Sequence, residues 1–190
     1  MTGARPGEAV ALRWKDTDLE ARAISIGRAL TRVEGARAFK DPKTRGSRRT
    51  LPIPETLASV LRAHRAMQAA QALRLGDHYD READLVFANE LGAPIDLRNL
   101  TSRHFKPALE RAGLPASLRL YDLRHTHATA LLTLGIHPKV VAERLGHAST
   151  RMTLDVYSHV LPGMQEEAVR ALEQSLIAKL EAGADGTRSK

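Results

Sequence analysis

A mainly helical α+β domain carrying a small antiparallel β-sheet is the fold class this sequence predicts, and three observations predict it. From residue 55 onward apolar residues recur at helical spacing, in segments closed by Gly76, Gly113, Gly135 and Gly146. Alternation of apolar and polar residues, the pattern of a half-buried strand, is concentrated in residues 22–54, which also hold the breakers Gly27, Gly35, Pro42 and Gly46. Aromatic residues make up only 4% of the chain, so Leu, Ala, Val and Ile must fill the core. At 190 residues a second independent domain would be cramped. One domain over residues 1–182 is expected, followed by a polar tail, residues 183–190, expected to be disordered.

In chain order, residues 6–14 open with Pro and Glu in a first helical turn and continue with Val10, Leu12 and Trp14, which predicts a short helix from Pro6. Arg5 then stands at the positive end of that helix, where a cation is disfavoured unless an anion such as phosphate shares the site; a solvated surface arginine is the alternative. Ile24 and Ile26, Leu30 and Val33, and LPIP at 51–54 predict two or three short antiparallel strands. Among them FKDPKTRGSRRTLP carries Lys40, Lys43, Arg45, Arg48 and Arg49, a basic hairpin turning at residues 45–47. Such a hairpin suits a phosphate backbone, or else is a sheet edge guarded by charge.

Residues 55–75 form the clearest helix, stopped by Gly76, with His64 at its boundary in a structural role. A polar loop, a short strand LVFA at 85–88 and a turn lead to a helix over 96–112, capped by Asp96 and stopped by Gly113. The helix over 122–134 shows an apolar face of Leu123, Thr126, Ala130, Leu131 and Leu134, which leaves Arg124 off that face and able to reach a cleft. A helix from Pro138 to Gly146, a short helix or turn over 150–159 and a final amphipathic helix from Pro162 complete the chain.

Lys and Arg number 29 against 22 Asp and Glu, a net charge of +7 that favours an anionic partner, nucleic acid first; a basic surface that only maintains solubility is the alternative. The lack of cysteine removes disulfides, thiolate metal sites and a cysteine nucleophile, and fits a reducing cytoplasm. No run approaches the roughly 18 apolar residues of a membrane span, so no membrane association is expected.

Polar chemistry is densest in residues 119–160. Together, TGARPGE near the start, PKTRGSRRTLPIP in the basic segment, DLRHTHATALL, ERLGH and TLDVYSHV make the chain resemble, over nearly its whole length, the catalytic domain of the tyrosine recombinases, the phage integrase family. The resemblance implies that domain's fold and a strand transferase that cleaves and rejoins double-stranded DNA through a 3′-phosphotyrosyl intermediate. It also implies a tetramer on paired sites for the full-length protein, and no metal or other cofactor. It makes Tyr157 the nucleophile, Arg5 and Arg124 the phosphate-binding arginines, Lys43 the hairpin lysine and His147 the histidine of the LGH turn. Lys40, Arg45, Arg48 and Arg49 are candidate DNA contacts by their charge.

These residue types suit the chemistry. Phosphoryl transfer needs positioning and charge neutralisation, which two guanidiniums supply bidentately, and Lys43 is suited to protonate the departing 5′-oxygen. Without the resemblance, Tyr157 reads as an ordinary half-buried helix residue and His147 as packing or capping at the Gly146 turn. Tyr121 departs from the family, which usually has histidine three residues before the second arginine; a weak base, it is expected to serve as a hydrogen-bond partner. His125 and His127 stand two apart on a helix, point to different sides and do not make a chelating pair. The family carries a DNA-clamping domain and further helices upstream, whereas Met1 here directly precedes Thr2 and Gly3. An N-terminally truncated domain is therefore expected, with Arg5 near a frayed end and apolar surface left uncovered. A catalytically silent DNA-binding fragment and a type IB topoisomerase-like relaxing enzyme are the alternative functions.

Overall fold

Alternating burial builds the sheet. In β2 (Ala23–Ile26) Ile24 and Ile26 are buried while Ser25 faces solvent, and the strand pairs antiparallel with β1 (Thr17–Asp18) on one side and β5 (Arg49–Pro52) on the other. A second, two-stranded sheet joins β3 (Ala29–Val33) to β4 (Ala36–Lys40), with Leu30 opposite Phe39. The chain is described by a computed structural model that covers residues 1–33, 36–41, 48–157, 169–170 and 172–177. Among the described residues, the strands that flank the basic segment do not pair with each other as the predicted hairpin would require. β4 pairs with β3 and β5 with β2, so the connection between β4 and β5 joins two different sheets. Lys43 and Arg45, in that connection, lie outside the described residues.

Helix α2 (Glu55–Leu75) sets Ala58 and Leu61 in one aliphatic cluster with Leu12, Leu19, Ile24, Ile26, Leu51, Ile53 and Val86. Full burial of an aliphatic side chain of this size contributes about 1.5–3 kcal/mol. His64 has the structural role expected of it, bonding the Val86 carbonyl at 2.7 Å and stacking on Phe87. LVFA is not a strand. Leu85 and Ala88 make only isolated bridges, to Arg13 and Pro94, because this half-buried run is satisfied by loop segments rather than by a ladder. Beside the first residues an apolar recess of about 270 Å³, lined by Met1, Ala4, Leu12, Leu57 and Phe87 among others, leaves apolar surface uncovered.

Asp96 caps its helix as expected, accepting from the N–H groups of Arg98 and Asn99. That helix runs as α3 (Leu97–Leu100), a π-helical turn (Thr101–Phe105) and α4 (Lys106–Arg111). Helix α5 (Asp122–Thr133) turns a different face inward from the one the sequence predicts. Its buried stripe is Arg124, Ala128 and Leu132, four residues apart, while Leu123 and Leu134 are 54% and 75% exposed. Ala128 and Leu132 pack on Val141 and Leu145 of α6 (Pro138–Leu145), and α6 packs on α7 (Thr150–Tyr157). Of the helix expected from Pro162, residues 169–170 and 172–177 are described and helical; the remainder, and the tail 183–190, lie outside the described residues. Among the described residues no helix is long and apolar enough to cross a membrane.

Candidate active site

Helix α6 ends on Gly146, whose φ of +68° is a left-handed conformation natural to glycine. The N–H groups of Gly146 and His147 fold back to the carbonyls of Glu143 and Ala142. The next three carbonyls point out of the helix end without intrahelical partners, and an arginine from elsewhere in the chain meets each one. Arg49 Nε donates to the Arg144 carbonyl at 2.7 Å, Arg124 Nη2 to that of Leu145 at 2.7 Å, and Arg5 Nη2 to that of Gly146 at 3.5 Å. The negative end of the helix dipole thus gathers three guanidiniums, from β5, from α5 and from the residue before α1 (Pro6–Ala9).

Glu8, in the first turn of α1, balances part of this charge. Its carboxylate accepts from the backbone N–H and Nη1 of Arg5, each at 2.8 Å, and from Nη1 and Nη2 of Arg49 at 3.2 and 2.9 Å. Burial raises the Glu8 carboxyl, but the hydrogen bonds from Arg49 and Arg5, with the attraction of Arg49, outweigh it and hold the group below its ordinary range. Arg49 is therefore not the surface DNA contact that its place in the basic segment suggests. Its side chain is 6% exposed, a buried fork joining α1 to the end of α6. A Cβ at residue 146 would fall 2.7 Å from its Nη1, so a side chain there would push the fork aside as well as strain the backbone at φ +68°.

Arg124 also donates from Nη1 to the Gly3 carbonyl at 2.7 Å. Gly3 is buried at φ +66°, and a Cβ there would fall 2.6 Å from His127 Cδ2. Arg144 donates to the Met1 and Pro52 carbonyls and to His127 Nε2. The segment bearing Arg5 is thus tied down, contrary to the frayed end expected. Arg124, at 2% exposure, forms the floor of the site, and Arg5, with 35% of its side chain exposed, forms the rim. Burial, then the repulsion of Arg5, lowers the Arg124 pKa to about 10, which leaves it charged at neutral pH.

His147 Nδ1 lies 2.8 Å from Thr153 Oγ1, and burial, reinforced by Arg124, Arg5 and Arg49, pushes its imidazole down to about 4. Tyr121 is 41% exposed, its ring 5.2 Å from that of His125 and its phenol near enough to bear on Arg124. Tyr157 closes α7; its side chain lies outside the described residues, as do Lys43 and Arg45. Lys40 is exposed at the end of β4. Arg48 pairs with Asp41 at 3.0 Å, an exposed contact worth at most about 1 kcal/mol that leaves the guanidinium open to a stronger anion. Arg5, Arg124 and His147, picked out in the sequence, do converge. Glu8, Arg144 and Thr153 escape the sequence reading, although a glutamate three residues after a helix cap is a recognisable signal.

The two lowered imidazoles predict a pH dependence of stability. His127 is also pushed down to about 4, by burial first and then by the chain's amino group, Arg144 and Arg124. Unfolded imidazoles near 6.5 take up protons where the folded ones do not, so the fold weakens as pH falls from 6.5 to about 4, while above 6.5 neither histidine contributes a slope. Denaturant midpoints measured from pH 8 to 4 should fall most steeply inside that window, and a flat profile would remove the half-buried neutral histidines.

A model described as the phage integrase family matches residues 1–164. Over 187 residues the chain is 38% identical to a tyrosine recombinase XerC-like protein of Caldanaerobacter subterraneus subsp. tengcongensis, covering 93% of this chain and 47% of that one. It is 31% identical over 176 residues to the ICEBs1 integrase of Bacillus subtilis, with the same two coverages, 93% and 47%. The chain thus spans about half the length of these relatives. Its fold is similar to that of the Tn1549 transposon integrase solved with circular intermediate DNA, with a TM-score of 0.71 at 23% identity over 90% of this chain and 55% of that one. It is also similar to the XerH site-specific recombinase bound to difH in a pre-cleavage complex, with a TM-score of 0.63 at 26% identity over 88% and 43% of the two chains.

Proposed function

The chain belongs to the phage integrase family, and from that premise we propose that it is the catalytic part of a site-specific DNA recombinase. The observation that supports this most is the convergence of Arg5, Arg124 and His147 on the end of α6. There, among the described residues, three guanidiniums, counting Arg49, meet the one carboxylate of Glu8, a local excess of positive charge that suits an anion. A scissile phosphate placed there has its non-bridging oxygens neutralised by Arg124 from the floor and Arg5 from the rim, with His147 and Tyr121 as hydrogen-bond partners.

Tyr157 gives up its hydroxyl proton to solvent water, a loss that neighbouring cations favour, and its oxygen bonds to phosphorus. The bond to the 5′-oxygen breaks, and Lys43 protonates that oxygen. The 5′-hydroxyl of another strand reverses the step, so strands are exchanged without hydrolysis and the guanidiniums supply the charge that a metal ion supplies in other phosphoryl transfers. Double-stranded DNA is the partner in this reading. Lys40, Arg45 and Arg48 track its backbone, and the full-length protein works in the cytoplasm as a tetramer on paired sites. The Tn1549 integrase and XerH structures, both DNA complexes, support the choice of partner.

A radiolabelled, nicked half-site tests the proposal. The protein should form an SDS-stable adduct with it, and Tyr157→Phe should form none. Retained DNA binding without any adduct would leave a silent DNA-binding fragment, and an adduct that persists in Tyr157→Phe would remove the nucleophile.

A further inference from the structure

Among the described side chains of α7, Thr153 is the buried polar one, 0% exposed, and the phosphate chemistry does not use it. Its Oγ1 lies 2.8 Å from His147 Nδ1, the one hydrogen bond this hydroxyl makes among the described residues. We propose that Thr153 is a positioning residue that fixes His147 in the Nε2–H tautomer, making its imidazole a hydrogen-bond donor beside the arginine cluster.

Two proton placements fit the distance, and satisfaction of the buried groups chooses between them. If Nδ1–H donates to Oγ1, the hydroxyl proton is sealed from water with no acceptor among the described residues, at a cost of about 1–3 kcal/mol. If the hydroxyl donates to the Nδ1 lone pair, both groups are satisfied and the ring's single proton sits on Nε2. The second placement needs a neutral ring, and burial together with Arg124 and Arg5 keeps the imidazole neutral well below pH 7. The root of the ring is held as well, because His147 N–H is bonded to the Ala142 carbonyl.

The bond also joins two functional elements. Thr153 stands four residues, about one helical turn, before Tyr157 on α7. A single hydroxyl therefore links the turn that carries His147 to the helix that carries Tyr157. His127 offers an internal contrast. Arg144 Nε donates into its Nε2, so His127 carries its proton on Nδ1, the opposite tautomer.

The catalytic half of the inference rests on the recombinase reading; the tautomer does not. In protein carrying ¹⁵N-histidine, long-range proton–nitrogen correlation spectra without DNA, at about pH 7.5 where an imidazole is neutral, should show His147 protonated on Nε2 and His127 on Nδ1. Thr153→Val, which keeps the shape and removes the hydroxyl, should mix the His147 tautomers and slow half-site cleavage about 10- to 100-fold at unchanged DNA affinity. Thr153→Ser should restore both. A His147 proton on Nδ1 in the parent protein, or His147 signals unmoved by Thr153→Val, would overturn the proposal. The parent spectrum decides by itself if the variant fails to fold. A protein with the expected tautomer that never cleaves would count against the recombinase reading alone.

Discussion

Arg49→Met is expected to cost the fold roughly 3–5 kcal/mol, the penalty for removing one member of a buried ion pair. Methionine approximates the length of the side chain, so the loss comes from what remains. The Glu8 carboxylate, with 7% of its side chain exposed, loses a two-pronged donor, and the Arg144 carbonyl loses the Nε that met it at 2.7 Å. Glu8→Gln should cost less, because an amide still accepts from Arg5 while no negative charge is stranded. Combining Arg49→Met with Glu8→Leu should recover part of the loss, since no unpaired charge is then left inside. Urea denaturation of the three variants measures all of this. An Arg49→Met protein within about 1 kcal/mol of the parent would mean that the pair is solvated, as surface pairs are.

How Arg49 came to be misread shows where sequence reasoning stops. It lies in a run of basic residues with Lys40, Lys43, Arg45 and Arg48, and local charge makes all five look alike. What separates them is the strand in which each sits. Arg49 begins β5, whose pairing with β2 carries it against Glu8 and the end of α6, contacts 41 and 95 residues away in sequence. Periodicity failed in α5 for a related reason. The stripe Arg124, Ala128 and Leu132 keeps helical spacing as well as the apolar one does, but a buried cation becomes believable only once the carbonyls of Gly3 and Leu145 are there to receive it. Signals confined to one element were legible: the Asp96 cap, the α2 helix, the Gly146 stop. Arg5, Arg124 and His147, picked out through the family resemblance, come together at the end of α6, whereas the groups that hold them depend on distant carbonyls that no spacing announces.

Arg124→Lys is expected to slow strand cleavage about 100- to 1,000-fold, the usual effect of losing a preorganised donor to a developing charge. The guanidinium uses Nη1 on the Gly3 carbonyl and Nη2 on that of Leu145, and in the proposed reaction its remaining N–H groups meet the phosphate. A lysine keeps the charge but not the fork; its ammonium cannot bridge both carbonyls and still face the phosphate squarely. DNA affinity should change only a few-fold, because binding sums many backbone contacts while the scissile phosphate is one of them. Arg5→Lys should do less harm, about 10-fold, since Arg5 is a partly exposed rim residue whose backbone N–H stays bonded to Glu8 whatever its side chain. Single-turnover cleavage of a nicked half-site, with gel-shift affinities beside it, separates the two. Equal losses for both variants would show that floor and rim do the same work, and a loss of affinity that matches the loss of rate in Arg124→Lys would place that arginine in ground-state binding rather than in the transfer step.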